Sequence, residues 1–74
     1  GGEPAPVEAL EAFFQDLGRY ILEIGLTDER RFPYAMRRLR RIFHKAGLTL
    51  GEVQMLRGLL HQSRFAQRRK DDGA

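Results

Sequence analysis

Residues 33–52, PYAMRRLRRIFHKAGLTLGE, decide the fold. Pro33 suits the first turn of a helix, where its missing N–H would have had no partner. With Met36 as zero and about 100° per residue, Ala35, Met36, Leu39, Ile42 and Phe43 fill roughly 240° to 360°. Tyr34, Arg37, Arg38, Arg40, Arg41, His44 and Lys45 fill roughly 40° to 200°. The stretch from about Pro33 to Lys45 is therefore a helix with one apolar face and one almost purely cationic face. Ala46-Gly47-Leu48 closes it with a glycine C-cap. Thr49-Leu50-Gly51-Glu52 has the T-x-x-E form of a capping box, in which threonine and glutamate each satisfy an orphan backbone donor. A further helix is predicted to start at about Leu50.

Upstream, Val7, Leu10, Phe13, Phe14, Leu17, Ile21 and Ile24 fall within an arc of about 120° at helical spacing. They predict a helix over about 7–24, with Pro6 near its start and Gly25 as its stop. Glu8, Glu11, Asp16 and Glu23 lie outside the arc and are expected on the solvent side. Gly18 at the edge of the arc would let a neighbouring helix approach closely, and Leu22 lies off the stripe. Thr27 and Asp28 are candidate caps for the next helix.

Downstream, Val53, Leu56, Leu59 and Leu60 form the apolar stripe of a helix over about 50–70. On its flank Arg57, His61, Arg64 and Arg68 recur within about 60° of arc, a second basic ridge. Phe65 falls on its polar side. The expected fold is all-α, a small three-helix bundle, with the short turns forcing antiparallel or steeply angled neighbours. There is no strand candidate and no internal repeat. Residues 1–6 read as a tag remnant, Gly1-Gly2, followed by a proline-stiffened linker. Residues 7–70 form the helical domain and 71–74 a polar tail.

A chain of 74 residues is near the lower limit for a lone hydrophobic core. With no cysteine and only His44 and His61, neither disulfides nor a metal cage is expected to staple it. No apolar run is long enough to span a bilayer, and no basic-then-apolar export signal opens the chain. The expectation is a cytoplasmic protein with no membrane partner.

The net charge of +3 hides a strong asymmetry. Up to Glu29, seven acids face Arg19 alone, whereas from Arg30 to Lys70 twelve bases face Glu52 alone. Arginine, whose planar fork suits phosphate oxygens, dominates the bases. An ordinary solvated face is one reading of the run Arg37-Arg38-Leu39-Arg40-Arg41. Against it, like charges such as Arg37 and Arg41 repel at i, i+4 with no acid on the same face to offset them. The acids of the first helix are too few to neutralise the bases of the body. The candidate RNA-binding residues are Tyr34, Arg37, Arg38, Arg40, Arg41, His44 and Lys45 on the second helix and Arg57, His61, Arg64 and Arg68 on the third. Tyr34 sits in the middle of its cationic arc, where a ring stacks on a base or on a guanidinium; packing against the loop before Pro33 is the alternative.

Both histidines lie among arginines without an orienting carboxylate nearby in sequence, so no catalytic residue and no metal site are expected. Two other readings stay open. One is a protein-docking or dimerisation module that uses the acidic first helix with Leu22 and Phe65. The other is a helix-turn-helix DNA-binding domain, although Thr49-Leu50-Gly51-Glu52 is apolar, small and acidic where base-reading side chains are needed.

The stretch Arg38-Leu39-Arg40-Arg41-Ile42-Phe43-His44-Lys45-Ala46, followed by Glu52-Val53-Gln54-Met55-Leu56-Arg57-Gly58-Leu59-Leu60, resembles the C-terminal domain of the TrmJ-type tRNA (cytidine/uridine-2'-O)-methyltransferases. Phe13-Phe14-x-x-Leu17 and Ile24-Gly25-Leu26 fit as well, so the resemblance runs from Val7 to Leu60. The chain departs from the family at His44-Lys45-Ala46-Gly47, where a further arginine is common, and Arg64 to Lys70 has only a variable counterpart. The resemblance implies a substrate-binding appendage to a SPOUT-class catalytic domain. That domain lies outside this chain, binds S-adenosylmethionine, works as a homodimer and methylates the anticodon loop of tRNA at position 32. It implies tRNA and the parent catalytic domain as partners, and no cofactor within this chain.

Overall fold

The computed structural model describes residues 2–73, apart from the side chains of residues 67 and 71–73. It contains three helices, α1 (Val7–Glu23), α2 (Phe32–Ala46) and α3 (Leu50–Gly73), and no β-strand among the described residues. The chain is all-α, as the apolar periodicities predict.

Each turn follows from its sequence. Pro6 precedes α1 in extended conformation, and its carbonyl accepts from Ala9 and Leu10 at 3.1 Å. α1 ends one residue before the expected Ile24 because Gly25 turns left-handed, with φ +75°. Gly25 N–H then donates to Leu22 and Leu26 N–H to Ile21, the paired bonds of a Schellman stop. The Asp28 carboxylate accepts from the Arg31 backbone at 2.8 Å. That turn starts α2 at Phe32, one residue earlier than expected, and Pro33 sits in the first turn where it needs no donor. Gly47, at φ +62°, stops α2. The capping box forms in both directions: Thr49 N–H donates to the Glu52 carboxylate at 2.9 Å and Glu52 N–H to Thr49 Oγ1 at 3.2 Å.

The segment read as a linker is extended and tied down. Pro4 bridges Thr49 antiparallel, Ala5 N–H donates to Leu48 and Leu50 N–H donates to Glu3. Leu50 is in the first turn of α3, so Glu3 satisfies a donor that the helix cannot.

α1 is the central element. The backbones of α2 and α3 each approach it but not each other. Gly18 opposite Phe32 and Glu11 opposite Arg40 make α1 and α2 antiparallel. Asp16 opposite Arg57 and Glu23 opposite Arg64 make α1 and α3 parallel. Gly18 permits the α1–α2 approach, since a Cβ there would lie 2.9 Å from the Phe32 ring. The core is Phe13, Phe14, Leu17, Ile21, Met36, Val53 and Leu60, with Phe43 edge-on to Phe13 at 5.0 Å between centroids. Ile42 and Leu59, expected in the apolar stripes, are more than half exposed, as is Val7, and Ile24 is half exposed. α1 covers only the near edge of each flanking helix, so the far edge of each stripe has no partner. From Phe65 to Lys70 every described side chain is exposed.

Candidate nucleic-acid interface

The two basic ridges have different fates. On α3, Arg57 Nε donates to Asp16 Oδ2 at 2.7 Å, and His61 Nε2 lies 3.1 Å from the same oxygen. Arg64 grips Glu23 with two bonds, of 2.9 and 2.7 Å. Asp16, expected on the solvent side, is only 5% exposed. The reason is positional: Asp16 and Glu23 lie on the flank of α1 that meets α3, and the burial of Asp16 is tolerable because Arg57 and His61 satisfy its carboxylate. No buried side-chain polar atom among the described residues lacks a partner. Thus three of the four residues of this ridge are turned onto α1. Arg68 remains exposed and lines a surface hollow with Arg19, His61, Arg64 and Phe65. The carboxylate missing beside His61 in sequence comes from Asp16, which is shared with Arg57 and Arg19 and serves as a structural hub.

Burial pushes the Asp16 carboxyl up, yet the hydrogen bonds and charges of Arg57 and His61 together hold it below its ordinary value. The Arg64 hydrogen bond likewise holds Glu23 down. Both acids are committed as carboxylates.

On α2 the cationic arc divides. Arg40, half-buried, and His44, exposed, lie at the edge nearest α1. Arg40 pairs with Glu11 at 2.6 Å and lies 4.6 Å over the Phe14 ring, and His44 lies 5.6 Å from that ring. Arg37, Arg38, Arg41 and Lys45 are exposed and form no ion pair among the described residues. Arg38 donates to the Tyr34 hydroxyl at 2.8 Å with its guanidinium 5.6 Å from the ring centroid. Tyr34, Arg37, Arg38, Arg41 and Ile42 line one hollow. The structure thus gathers Tyr34, Arg37, Arg38, Arg41 and Lys45 on one open face. It places Arg57, His61 and Arg64 elsewhere, in the α1–α3 seam.

Sequence reasoning missed Asp16 and Glu23 as partners. A signal existed: the acids are seven residues apart on α1, Arg57 and Arg64 are seven apart on α3, and that spacing keeps each pair on one helix face.

The fold and the site define a small all-α domain that presents a cationic helix face. The chain matches the family described as the tRNA methyltransferase TrmJ, C-terminal domain, over residues 8–73, and it belongs to that family. It is 28% identical over 75 residues to a tRNA (cytidine/uridine/adenosine-2'-O-)-methyltransferase TrmJ of Pseudomonas aeruginosa, an alignment that covers 95% of this chain. The chain spans 29% of that relative's length. No solved structure matches it.

Proposed function

We propose that this domain captures tRNA for a 2'-O-ribose methyltransferase of which it is the C-terminal part. The observation that carries the reading is the outer face of α2: Arg37, Arg38, Arg41 and Lys45 on one rigid helix that contains no acid. Their mutual repulsion is relieved by a polyanion, and phosphate neutralisation releases counterions whatever the base sequence. Such contacts position the RNA, and tethering raises its effective concentration at the active site.

In this reading the methyl donor is S-adenosylmethionine, held in a catalytic domain outside this chain. The reading includes a ribose of the anticodon loop as the methylated group, a homodimeric SPOUT enzyme as the whole protein and the cytoplasm as its compartment. No helix of the described residues is long and apolar enough to cross a membrane.

The rival readings find less support. The α1 acids that a docking module would offer are largely engaged within the chain, Glu11 with Arg40, Asp16 with Arg57 and Glu23 with Arg64. In a helix-turn-helix, the first turn of α3 would read bases, yet Glu52 is held in its capping box and Leu50 N–H by Glu3.

The test is a titration of this chain with tRNA at several salt concentrations. Four phosphate contacts predict a slope of log affinity against log salt of about −3. Replacing Arg37, Arg41 and Lys45 together by glutamine flattens that slope to about −1. Salt-insensitive binding, or a slope unchanged in the triple variant, overturns the reading.

A further inference from the structure

The α2 face is not purely ionic. A second hollow, lined by Leu26, Thr27, Arg31, Tyr34, Ala35, Arg38, Leu39 and Ile42, adjoins the arginine-lined one, and the two share Tyr34, Arg38 and Ile42. Leu26 is 65%, Ile42 57% and Tyr34 56% exposed. Three large apolar side chains thus stand in the open beside Arg31, Arg37, Arg38 and Arg41. Gripping a duplex backbone requires cations alone. An A-form major groove is too deep and narrow for side chains to read, so an aromatic ring gains a base as partner only where that base is unstacked.

We infer that the Tyr34–Arg38 edge and the apolar hollow beside it form a seat for an unpaired nucleobase, with the flanking phosphates held by Arg37, Arg41 and Lys45. The inference rests on the RNA-binding reading above and names the part of the RNA that this face takes. The hydrogen bond from Arg38 to the Tyr34 hydroxyl fixes the ring from its polar end, with the guanidinium over one face, which leaves the other face for stacking. Leu26, on the α1–α2 loop, and Ile42, on α2, form the greasy side walls that a flat heterocycle covers. The occupant is set by charge complementarity. An apolar anchor from a protein partner would not need four cations around it, whereas each nucleotide brings a π-face and a phosphate together.

Two RNAs with equal numbers of phosphates test the inference at one salt concentration, a hairpin with an unpaired loop and a fully paired duplex. The hairpin binds more tightly. Tyr34→Ala weakens hairpin binding roughly ten-fold, in line with base–aromatic stacking, and leaves the duplex nearly unchanged. Tyr34→Phe, which keeps the ring, keeps the hairpin preference. The chain has no tryptophan and two tyrosines, so in a Tyr20→Phe background Tyr34 is the sole tyrosine reporter, and its emission is quenched by the hairpin and not by the duplex. Salt-dependent binding that is equal for both RNAs and indifferent to Tyr34→Ala overturns the base seat and leaves RNA capture standing. No binding to either RNA overturns both.

Discussion

Arg57 Nε stands 2.7 Å from Asp16 Oδ2 across 41 residues of chain, and the same offset of 41 joins Arg64 to Glu23. One heptad of α1 is thereby locked to one heptad of α3 in parallel register. Removing the acid at the centre of this seam leaves Arg57, His61 and Arg19 without their shared acceptor. Arg57 retains access to water, with 38% of its side chain exposed, so the loss falls short of that for a fully buried pair. Asp16→Ala is expected to lower stability by about 2 kcal/mol, with a fall in Tm of roughly 8–16 °C on thermal unfolding. A Tm within a degree or two of the parent chain would mean that the seam is held by Val53 and Leu60 alone.

The same seam predicts acid lability. Asp16 and Glu23 are held below their ordinary values of 3.8 and 4.5 by their arginine partners, and Glu52 is held down by its bonds to Thr49. The unfolded chain therefore binds more protons than the folded chain in this range, and stability rises with pH. The contribution is complete above about pH 5 and is lost as pH falls through the depressed folded values. Thermal unfolding from pH 7 to pH 2 should show a flat plateau and then a decline. In Asp16→Asn the decline is shallower, because the buried carboxylate of the seam no longer titrates. Equal slopes in the two proteins would remove Asp16 from the account.

The fold was legible because its signals are local. Gly25, Gly47, Pro33 and the Thr49–Glu52 box each mark a helix end through backbone geometry that a few residues determine. The position of α1 between α2 and α3 was not legible, since it depends on which flank of a 120° stripe each neighbour takes. For that reason Ile42 and Leu59, apolar and correctly phased, lie in the open, and Asp16, acidic and off the stripe, is buried. The cationic face of α2 was legible as a charge pattern. Its division into an inner pair, Arg40 and His44, and an outer set was not, because Glu11 and Phe14 are nearly thirty residues away in sequence. Only the partner helix decides which cations are consumed.

The N-terminal segment offers a test of whether it is a linker or part of the domain. Ala5 and Glu3 exchange backbone hydrogen bonds with Leu48 and Leu50 on either side of Thr49. A free linker contributes nothing to unfolding, so its removal would leave Tm in place. Deleting residues 1–5 is instead expected to cost about 1 kcal/mol, because a donor in the first turn of α3 loses its partner. Thr49→Ala, which opens the capping box, is expected to cost about the same. The losses should add only partly in the combined variant, since both act on one helix end. Chemical denaturation of the three variants reads this directly, and a deletion with unaltered midpoint would restore the linker.

The separation of the two ridges makes a prediction that neither fold nor charge makes alone. Arg41 and Arg64 carry the same charge, but Arg64 is spent on Glu23 whereas Arg41 meets no acid among the described residues. Arg41→Gln should therefore leave Tm unchanged or raise it slightly, because it removes an i, i+4 repulsion from Arg37 and Lys45. It should flatten the salt slope of tRNA binding by about 0.7 to 0.9. Arg64→Gln should lower Tm, since Glu23 loses both of its bonds, and leave that slope intact. Were Arg64→Gln to flatten the slope as Arg41→Gln does, the α3 ridge would be a binding surface that exchanges its acids for phosphates. α1 and α3 would then have to separate at Glu23 for RNA to enter.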